Sequence, residues 1–173
     1  MGELLAQIIG IIAMIINVFS FQFKNKKHLI FVLGIGSFLF AVSFIMLGDF
    51  ASAGFNMVNI FRAVTAVNKK THNKVFFIIN CLLYFAAAVF TYHSPWTFIL
   101  MSSQLVSTYV HWWRDAVFVR KAQLLYISPV WLINNIFITF SLGGIICEVF
   151  SMLSVLVSFV RYGKNGFDNA GMV

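Results

Sequence analysis

Seven apolar runs, each close to the length that crosses a lipid bilayer, occupy most of this 173-residue chain. A transmembrane helix needs about 20 predominantly apolar residues to cross the hydrocarbon core. The chain is 61% hydrophobic and only 10% charged, which is too little charge to cover the surface of a soluble globule. The sequence therefore predicts an all-α integral membrane protein. The seven runs are residues 4–23, 29–47, 50–67, 75–92, 96–113, 124–142 and 145–160.

The basic residues fall on one side of the membrane when these runs are taken as seven helices. The opposite side carries only Glu3, Asp49, His93 and the turn at Gly143 and Gly144. Because Lys and Arg are enriched in cytoplasmic loops, we expect the N-terminus outside and the C-terminus in the cytoplasm, which requires an odd number of spans. The twelve basic residues are Lys24, Lys26, Lys27, Arg62, Lys69, Lys70, Lys74, Arg114, Arg120, Lys121, Arg161 and Lys164.

The net charge of +7 does not predict nucleic-acid binding, because the basic residues lie in short loops beside anionic lipid headgroups. The expected partners are the lipid bilayer and a small-molecule solute, and the chain is also compatible with a homo-oligomer. The first run lacks the basic start and cleavage site of a signal peptide, so we expect it to be retained. Cys81 and Cys147 lie at different depths, and neither a disulfide nor a metal site is predicted.

An internal repeat is indicated when the chain is shifted on itself by 95 residues. The shift aligns Lys26 with Lys121 and Phe55 with Phe150, and it brings the loop after the first helix, the glycine turn and the final basic cap into register. Two parallel three-helix bundles need one inverting helix between them, and the fourth run supplies it. We therefore predict a first bundle at 1–70, a linker helix at 71–94, a second bundle at 95–164 and a cytoplasmic tail at 165–173.

Polar side chains inside the third span mark a candidate site, because a polar group in the bilayer usually faces protein or a cavity. Asn56, Asn59 and Arg62 recur every three residues and share one helix face. The shift of 95 residues places the two asparagines on Ser151 and Ser154 of the last span. The two polar stripes could enclose a solute, or they could hold helices together by hydrogen bonds.

Arg62 and Glu148 are the charged residues inside predicted spans. Arg62 lies near the basic end of its helix, where it could extend to the interface or gate the inner mouth of a pathway. Glu148 lies about one turn inside the last span, where it could contact a ligand or couple transport to protons, or sit at the outer interface in contact with water.

The sixth run offers Trp131 and Asn135 one helical turn apart, an aromatic ring and an amide on one face. Pro129 should weaken or kink that helix. No catalytic constellation is present, since the histidines are scattered, the carboxylates form no pair and there is no glycine-rich phosphate loop. We predict that the protein is not an enzyme and uses no cofactor.

The chain resembles the YgjV-type proteins of the bacterial inner membrane in the segments LAQIIG at 5–10, NIFR at 59–62 and WLINN at 131–135, with Gly143, Gly144 and Glu148. The resemblance covers nearly the whole chain and implies a multi-pass protein of the bacterial inner membrane. The three, one, three arrangement also resembles the SWEET sugar transporters and the wider PQ-loop superfamily, although residues 20–23 read SFQF and lack the Pro-Gln dipeptide.

These features predict a membrane transporter that moves a small polar solute, sugar-like or similar, by alternating access between two three-helix bundles. The alternative is a membrane structural or interaction protein that transports nothing and whose polar residues join helices. Arg62 is the predicted gating residue. The predicted substrate-binding residues are Asn56, Asn59, Trp131, Asn135, Ser151 and Glu148.

Overall fold

The computed structural model describes residues 2–92, 94–138, 140–163, 166 and 167. Helices dominate these residues, and none of them lies in a regular β-sheet. His93, Lys164 and most of the predicted tail at 165–173 lie outside the described residues. The helices are α1 (Gly2–Ser20), α2 (Lys26–Leu47), α3 (Phe50–Val67), α4 (Lys74–Phe90), α5 (Trp96–Trp113), α6 (Ala116–Ala122), α7 (Ser128–Phe137) and α8 (Leu142–Tyr162).

Short polar side chains start most of these helices by accepting a hydrogen bond from an unpaired main-chain N–H. Asp49 accepts from Ser52 N at 3.0 Å, and Ser141 accepts from Gly144 N at 3.1 Å. Asn25 and Asn73 have the same role at α2 and α4. Because the capping residues themselves lie in the loops, the loops that connect consecutive helices are short.

The sixth helical rod differs from its predicted bounds of 124–142. It begins at Ala116, because Asp115 caps its N-terminus by accepting from Phe118 N at 2.7 Å. A π-helical turn, Gln123–Ile127, joins α6 to α7 directly before Pro129. Proline lacks an N–H and its ring crowds the carbonyl four residues earlier, so a π-turn accommodates it. The predicted disturbance of this helix by Pro129 is confirmed.

Four of the described helical rods are long and apolar enough to cross a membrane by themselves. They are α1, α2, α8 and the rod Ala116–Phe137. Helix α4 is apolar but has only 17 residues. Helices α3 and α5 have the length but are less apolar, because each buries a row of polar side chains.

Six rods form a ring, with α4 packed outside it against α3 and α5. Helix α2 packs against both α1 and α3, and the α6–α7 rod packs against both α5 and α8. The ring is completed where α1 meets α8 and where α3 meets α5. This arrangement leaves a space in the middle that faces all six rods.

One end of the ring, which we call the basic end, is closed by buried cations and apolar packing. Lys26 is 2% exposed and donates from Nζ to the main-chain oxygen of Arg114. Arg120 is fully buried and donates to the main-chain oxygens of Phe21 and Phe23. A continuous apolar cluster fills the space beside them: Phe21, Leu29, Ile30, Ala63, Ala66, Val110, Trp112, Val119 and Val155.

Candidate functional site

A cavity of about 80 Å³ lies in the middle of the ring. A single water needs roughly 10–15 Å³ of such space, so the cavity has room for several waters or one small solute. Its apolar walls are Leu33, Phe40, Phe44, Ile127 and Trp131. The rest of its lining is polar apart from Gly144: Asn17, Ser37, Asn56, Asn59, Arg62, Gln104, Ser107, His111, Gln123, Asn135 and Glu148.

The cavity is displaced away from the basic end. The apolar cluster that closes the basic end begins at Ala63, one residue beyond Arg62, and at Ile30, three residues from Leu33 toward the start of α2. At the other end the lining reaches Phe44, three residues from the end of α2. A solute would therefore meet a thick barrier at the basic end and a thin one at the opposite end.

Arg62 is held at the floor of the cavity by side chains from two neighbouring helices. Its Nη1 donates to Gln104 Oε1 at 3.3 Å, and its guanidinium carbon lies 5.8 Å from the centre of the Tyr84 ring. The Tyr84 hydroxyl in turn donates to Asn59 Oδ1 at 2.6 Å. Helix α4 thus positions Asn59 and Arg62 without forming the cavity wall itself.

Glu148 lies toward the other end of the cavity, on α8. The Ser128 hydroxyl faces its carboxylate, and Gln123 Nε2 donates to Ser128 Oγ at 2.9 Å. Glu148 and Arg62 do not form an ion pair with each other. The cavity therefore carries a separated positive and negative group.

Several buried polar atoms of the lining have no hydrogen-bond partner among the described residues. They are Asn17 Oδ1, Arg62 Nε, His111 Nδ1 and Glu148 Oε2. A buried polar group without a partner is costly, so such groups usually mark a position that water or a ligand occupies. All four belong to the lining of the same cavity.

Contacts between helices fix the relative depth of the two charges. Helices α1 and α8 run parallel, because Gly143 packs against Gly10 at one end and Tyr162 bonds to Gln22 O at 3.0 Å at the other. Helix α3 has the same direction, since two successive reversals separate it from α1. Both charged helices therefore begin at the end opposite the basic end.

Three contacts then relate levels on α3 to levels on α8. They join Ala63 to Gly34, Gly36 to Asn17, and Val18 to Ser154. Arg62 accordingly lies near the level of Ser154, six residues beyond Glu148. At a rise of 1.5 Å per residue, the two charged residues differ in depth by roughly 9 Å.

The structure brings six of the seven residues predicted for binding and gating to one cavity: Asn56, Asn59, Arg62, Trp131, Asn135 and Glu148. Ser151 is buried but does not line the cavity, and its hydroxyl lies 3.9 Å from Cys147 Sγ. Ser154 was paired with Asn59 in the predicted polar stripes. It instead joins α8 to α1, because it donates to Val18 O at 2.7 Å.

One alternative for the charged residues, an Arg62 that extends to the membrane interface, is wrong in position. Arg62 is 7% exposed and points into the ring, so it does not extend to the membrane interface. Its partners Gln104 and Tyr84 lie on helices that no pattern within α3 could identify. Glu148 lies on the cavity nearly two turns inside α8, because Ser141 starts that helix three residues earlier than predicted.

Other lining residues were not selected from the sequence. Gln104, Ser107 and His111 share a face of α5, and that periodicity was the available signal. Gln123 gave no signal, because it belongs to the π-turn. Within the described residues, no three His, Cys, Asp or Glu side chains converge in a way that could hold a metal ion.

A ring of apolar helices with a polar interior defines the class of protein: a polytopic helical membrane protein. Residues 4–166 match the family Imp-YgjV, described as a bacterial inner membrane protein, and the chain belongs to that family. It is accordingly a protein of the bacterial inner membrane. No curated protein and no solved structure gives a significant match to the chain.

Proposed function

We propose that this protein transports a small polar solute across the bacterial inner membrane by alternating access. The observation that carries the proposal is the central cavity, whose polar lining lies inside a ring of apolar helices. Polar and charged side chains are expensive at membrane depth and are commonly kept there for a pathway. All seven rods would cross the membrane, with the basic end in the cytoplasm.

The contacts between rods support two related bundles, α1–α3 and α5–α8, linked by α4. A shift of 95 residues makes α5 equivalent to α1 and α8 equivalent to α3. If the two bundles are related by symmetry, the contact between α1 and α8 should have a counterpart between α5 and α3. Both contacts are present. Such pairing is what an axis of pseudosymmetry along the membrane normal would produce.

The buried cations at the basic end follow the same relation. Lys26, at the start of the second helix of one bundle, bonds to the end of α5 at Arg114. Arg120, near the start of the second rod of the other bundle, bonds to the segment that follows α1. Each bundle thus closes the basic end by contacting the first helix of the other bundle. Arg62, directly above this barrier, would gate the path between the cavity and the cytoplasm.

A membrane interaction protein that transports nothing is the second candidate, favoured by the polar residues that do join helices. Asn80 donates from Nδ2 to Thr65 Oγ1 at 3.1 Å between α4 and α3, and Gln22 donates to Ser154 Oγ at 2.8 Å. Hydrogen bonds of this kind stabilise helix packing. They lie outside the cavity lining, so they explain only part of the buried polar residues.

Uptake into proteoliposomes tests transport, with a panel of radiolabelled sugars, nucleosides, amines and amino acids. We expect one class to accumulate, and we expect the double variant Asn59→Ala, Asn135→Ala to reduce its uptake at least about tenfold, the factor that corresponds to ~1.4 kcal/mol. Asn80→Ala is the matched control, because Asn80 is an equally buried asparagine outside the cavity. Unchanged uptake in the double variant would contradict the proposal.

A further inference from the structure

We infer that the solute is a small zwitterion, held with its ammonium group at Glu148 and its carboxylate at Arg62. The inference rests on the proposed function and names the substrate class for the same cavity. It follows from three observations: two opposite charges that are not paired with each other, unpartnered polar atoms around them, and their separation in depth.

The first observation concerns charge. Arg62 and Glu148 line one cavity inside the membrane, yet no ion pair joins them. A buried charge without a counter-charge is strongly disfavoured in an apolar medium. One zwitterion supplies a counter-charge to both groups, whereas a neutral sugar supplies none and a simple ion supplies only one.

The second observation concerns hydrogen-bond polarity. At the Glu148 end, the atom without a partner is an acceptor, Glu148 Oε2. At the other end, Arg62 Nε is a donor that has no partner, and His111, 3% exposed, has an unpartnered ring nitrogen. An acceptor at one end and a guanidinium donor at the other match an ammonium, which only donates, and a carboxylate, which only accepts.

Asn17 lies on α1 and Glu148 on α8, two helices that pack closely where Gly143 meets Gly10. A Cβ atom on Gly36 would collide with the Asn17 amide, so this glycine fixes the amide against α2. A Cβ atom on Gly144 would lie 2.5 Å from Asn135 Oδ1, so that asparagine is fixed on the same side of the cavity. The packing of Gly144 therefore holds Asn135 close to the end that would receive the ammonium.

The third observation concerns size. The two charged residues differ in depth by roughly 9 Å, counted at 1.5 Å per residue. The two charged groups lie at different depths of one small cavity, which suits an ammonium and a carboxylate joined through few carbon atoms, as in α-amino acids and β-alanine. A cavity of about 80 Å³ is also suited to a molecule of this size.

Equilibrium binding tests the inference on the purified full-length protein in phosphatidylglycerol vesicles, where no lipid headgroup is zwitterionic. The probes are glycine, alanine and β-alanine as zwitterions, methylammonium as a cation, acetate as an anion, and glycerol and glucose as neutral solutes. We expect at least one zwitterion to bind at least tenfold more tightly than every other probe. The strongest binding by a neutral solute or by a single ion would overturn the inference.

Two variants identify the groups that bind. Glu148→Gln keeps the shape of the side chain and should weaken zwitterion binding about tenfold or more, to the level of acetate. Arg62→Gln should weaken it comparably, to the level of methylammonium. Asn80→Ala, at a buried position outside the cavity, should leave binding unchanged. If Glu148→Gln binds the zwitterion as well as the native protein does, the inference fails.

Binding and uptake separate this inference from the transport proposal. Zwitterion binding without uptake would support the inference and contradict the proposal that the protein is a transporter. Uptake of glucose without any zwitterion binding would support transport and overturn the inference. If no probe binds and none is taken up, both are wrong.

Discussion

Arg120 donates from Nη2 to the main-chain oxygen of Phe23 at 2.6 Å and so ties α6 to the segment that follows α1. The same Nη2 lies 3.1 Å from Phe21 O, Nη1 donates to Ala116 O at 3.0 Å, and the guanidinium lies 4.0 Å from the Phe167 ring. All of these partners are carbonyls or an aromatic face. This buried arginine therefore caps the main-chain oxygens of Phe21 and Phe23, which lie beyond the end of α1.

Replacing Arg120 with Met should destabilise the protein clearly, because two carbonyl groups beyond α1 would lose their donor. Each buried polar group left unpaired costs about 1–3 kcal/mol. We expect the Tm of the detergent-purified protein, measured by scanning fluorimetry, to fall by several degrees. Lys121→Met removes an exposed cation at the next position and should change the Tm little. Equal losses in the two variants would show that the cap is unimportant.

The cavity should be reachable only from the face opposite the basic end. Ser107→Cys places a thiol on its lining, in a background where Cys81 and Cys147 are replaced by alanine. A thiol reagent that does not cross membranes should label this cysteine from the opposite face and not from the basic face. The measurement compares inside-out with right-side-out vesicles. Adding Lys26→Met and Arg120→Met should permit labelling from the basic face. Labelling from that face in the protein that retains Lys26 and Arg120 would show that the basic end is not closed.

Gly34→Ala should loosen the contact between α2 and α3. Its Cβ atom would lie 2.6 Å from Ala63 Cβ, and overpacking of this kind costs about 1–3 kcal/mol. Gly54→Ala is the control within a neighbouring helix, because its Cβ atom would meet Thr91 Cγ2 at an ordinary 3.8 Å. Thermal unfolding should show a lower Tm for Gly34→Ala only. An unchanged Tm in Gly34→Ala would mean that α2 and α3 can move apart at this contact without a loss of stability.

Tyr84→Phe tests how α4 positions the cavity. The change removes the hydroxyl that donates to Asn59 Oδ1, a hydrogen bond worth about 1 kcal/mol, and leaves the ring beside Arg62 in place. We expect weaker solute binding with a small loss of stability. Tyr126→Phe, which removes a hydroxyl that bonds to Ser102 away from the cavity, is the matched control. If the two variants had equal effects on solute binding, the Tyr84 hydroxyl would have no role in positioning the site.

Much of the fold was accessible from the sequence, because apolar run length and polar interruptions are local signals. The starts of α3 and α5 were predicted to the residue, and Asn56, Asn59 and Arg62 share a face that the helical period reveals. The direction of Arg62 was not accessible, because it depends on Gln104 and Tyr84 across the ring.

Ser151 is a second residue whose side-chain direction was not accessible from the sequence. A shift between repeats predicts equivalent depth, but it does not predict which way a side chain points. Ser151 faces Cys147 on its own helix, and the α8 side chain that reaches the cavity is that of Glu148.

The π-turn at Gln123–Ile127 adds one residue to a helical repeat, which rotates everything after it by about 100° relative to an uninterrupted α-helix. Trp131 and Asn135 face the cavity only with that rotation in place, and both lie beyond the turn. A single-residue deletion there would straighten the rod, keep its length almost unchanged and turn both side chains toward lipid. The α6–α7 rod is therefore the part of this chain where residue count, more than residue identity, is under constraint.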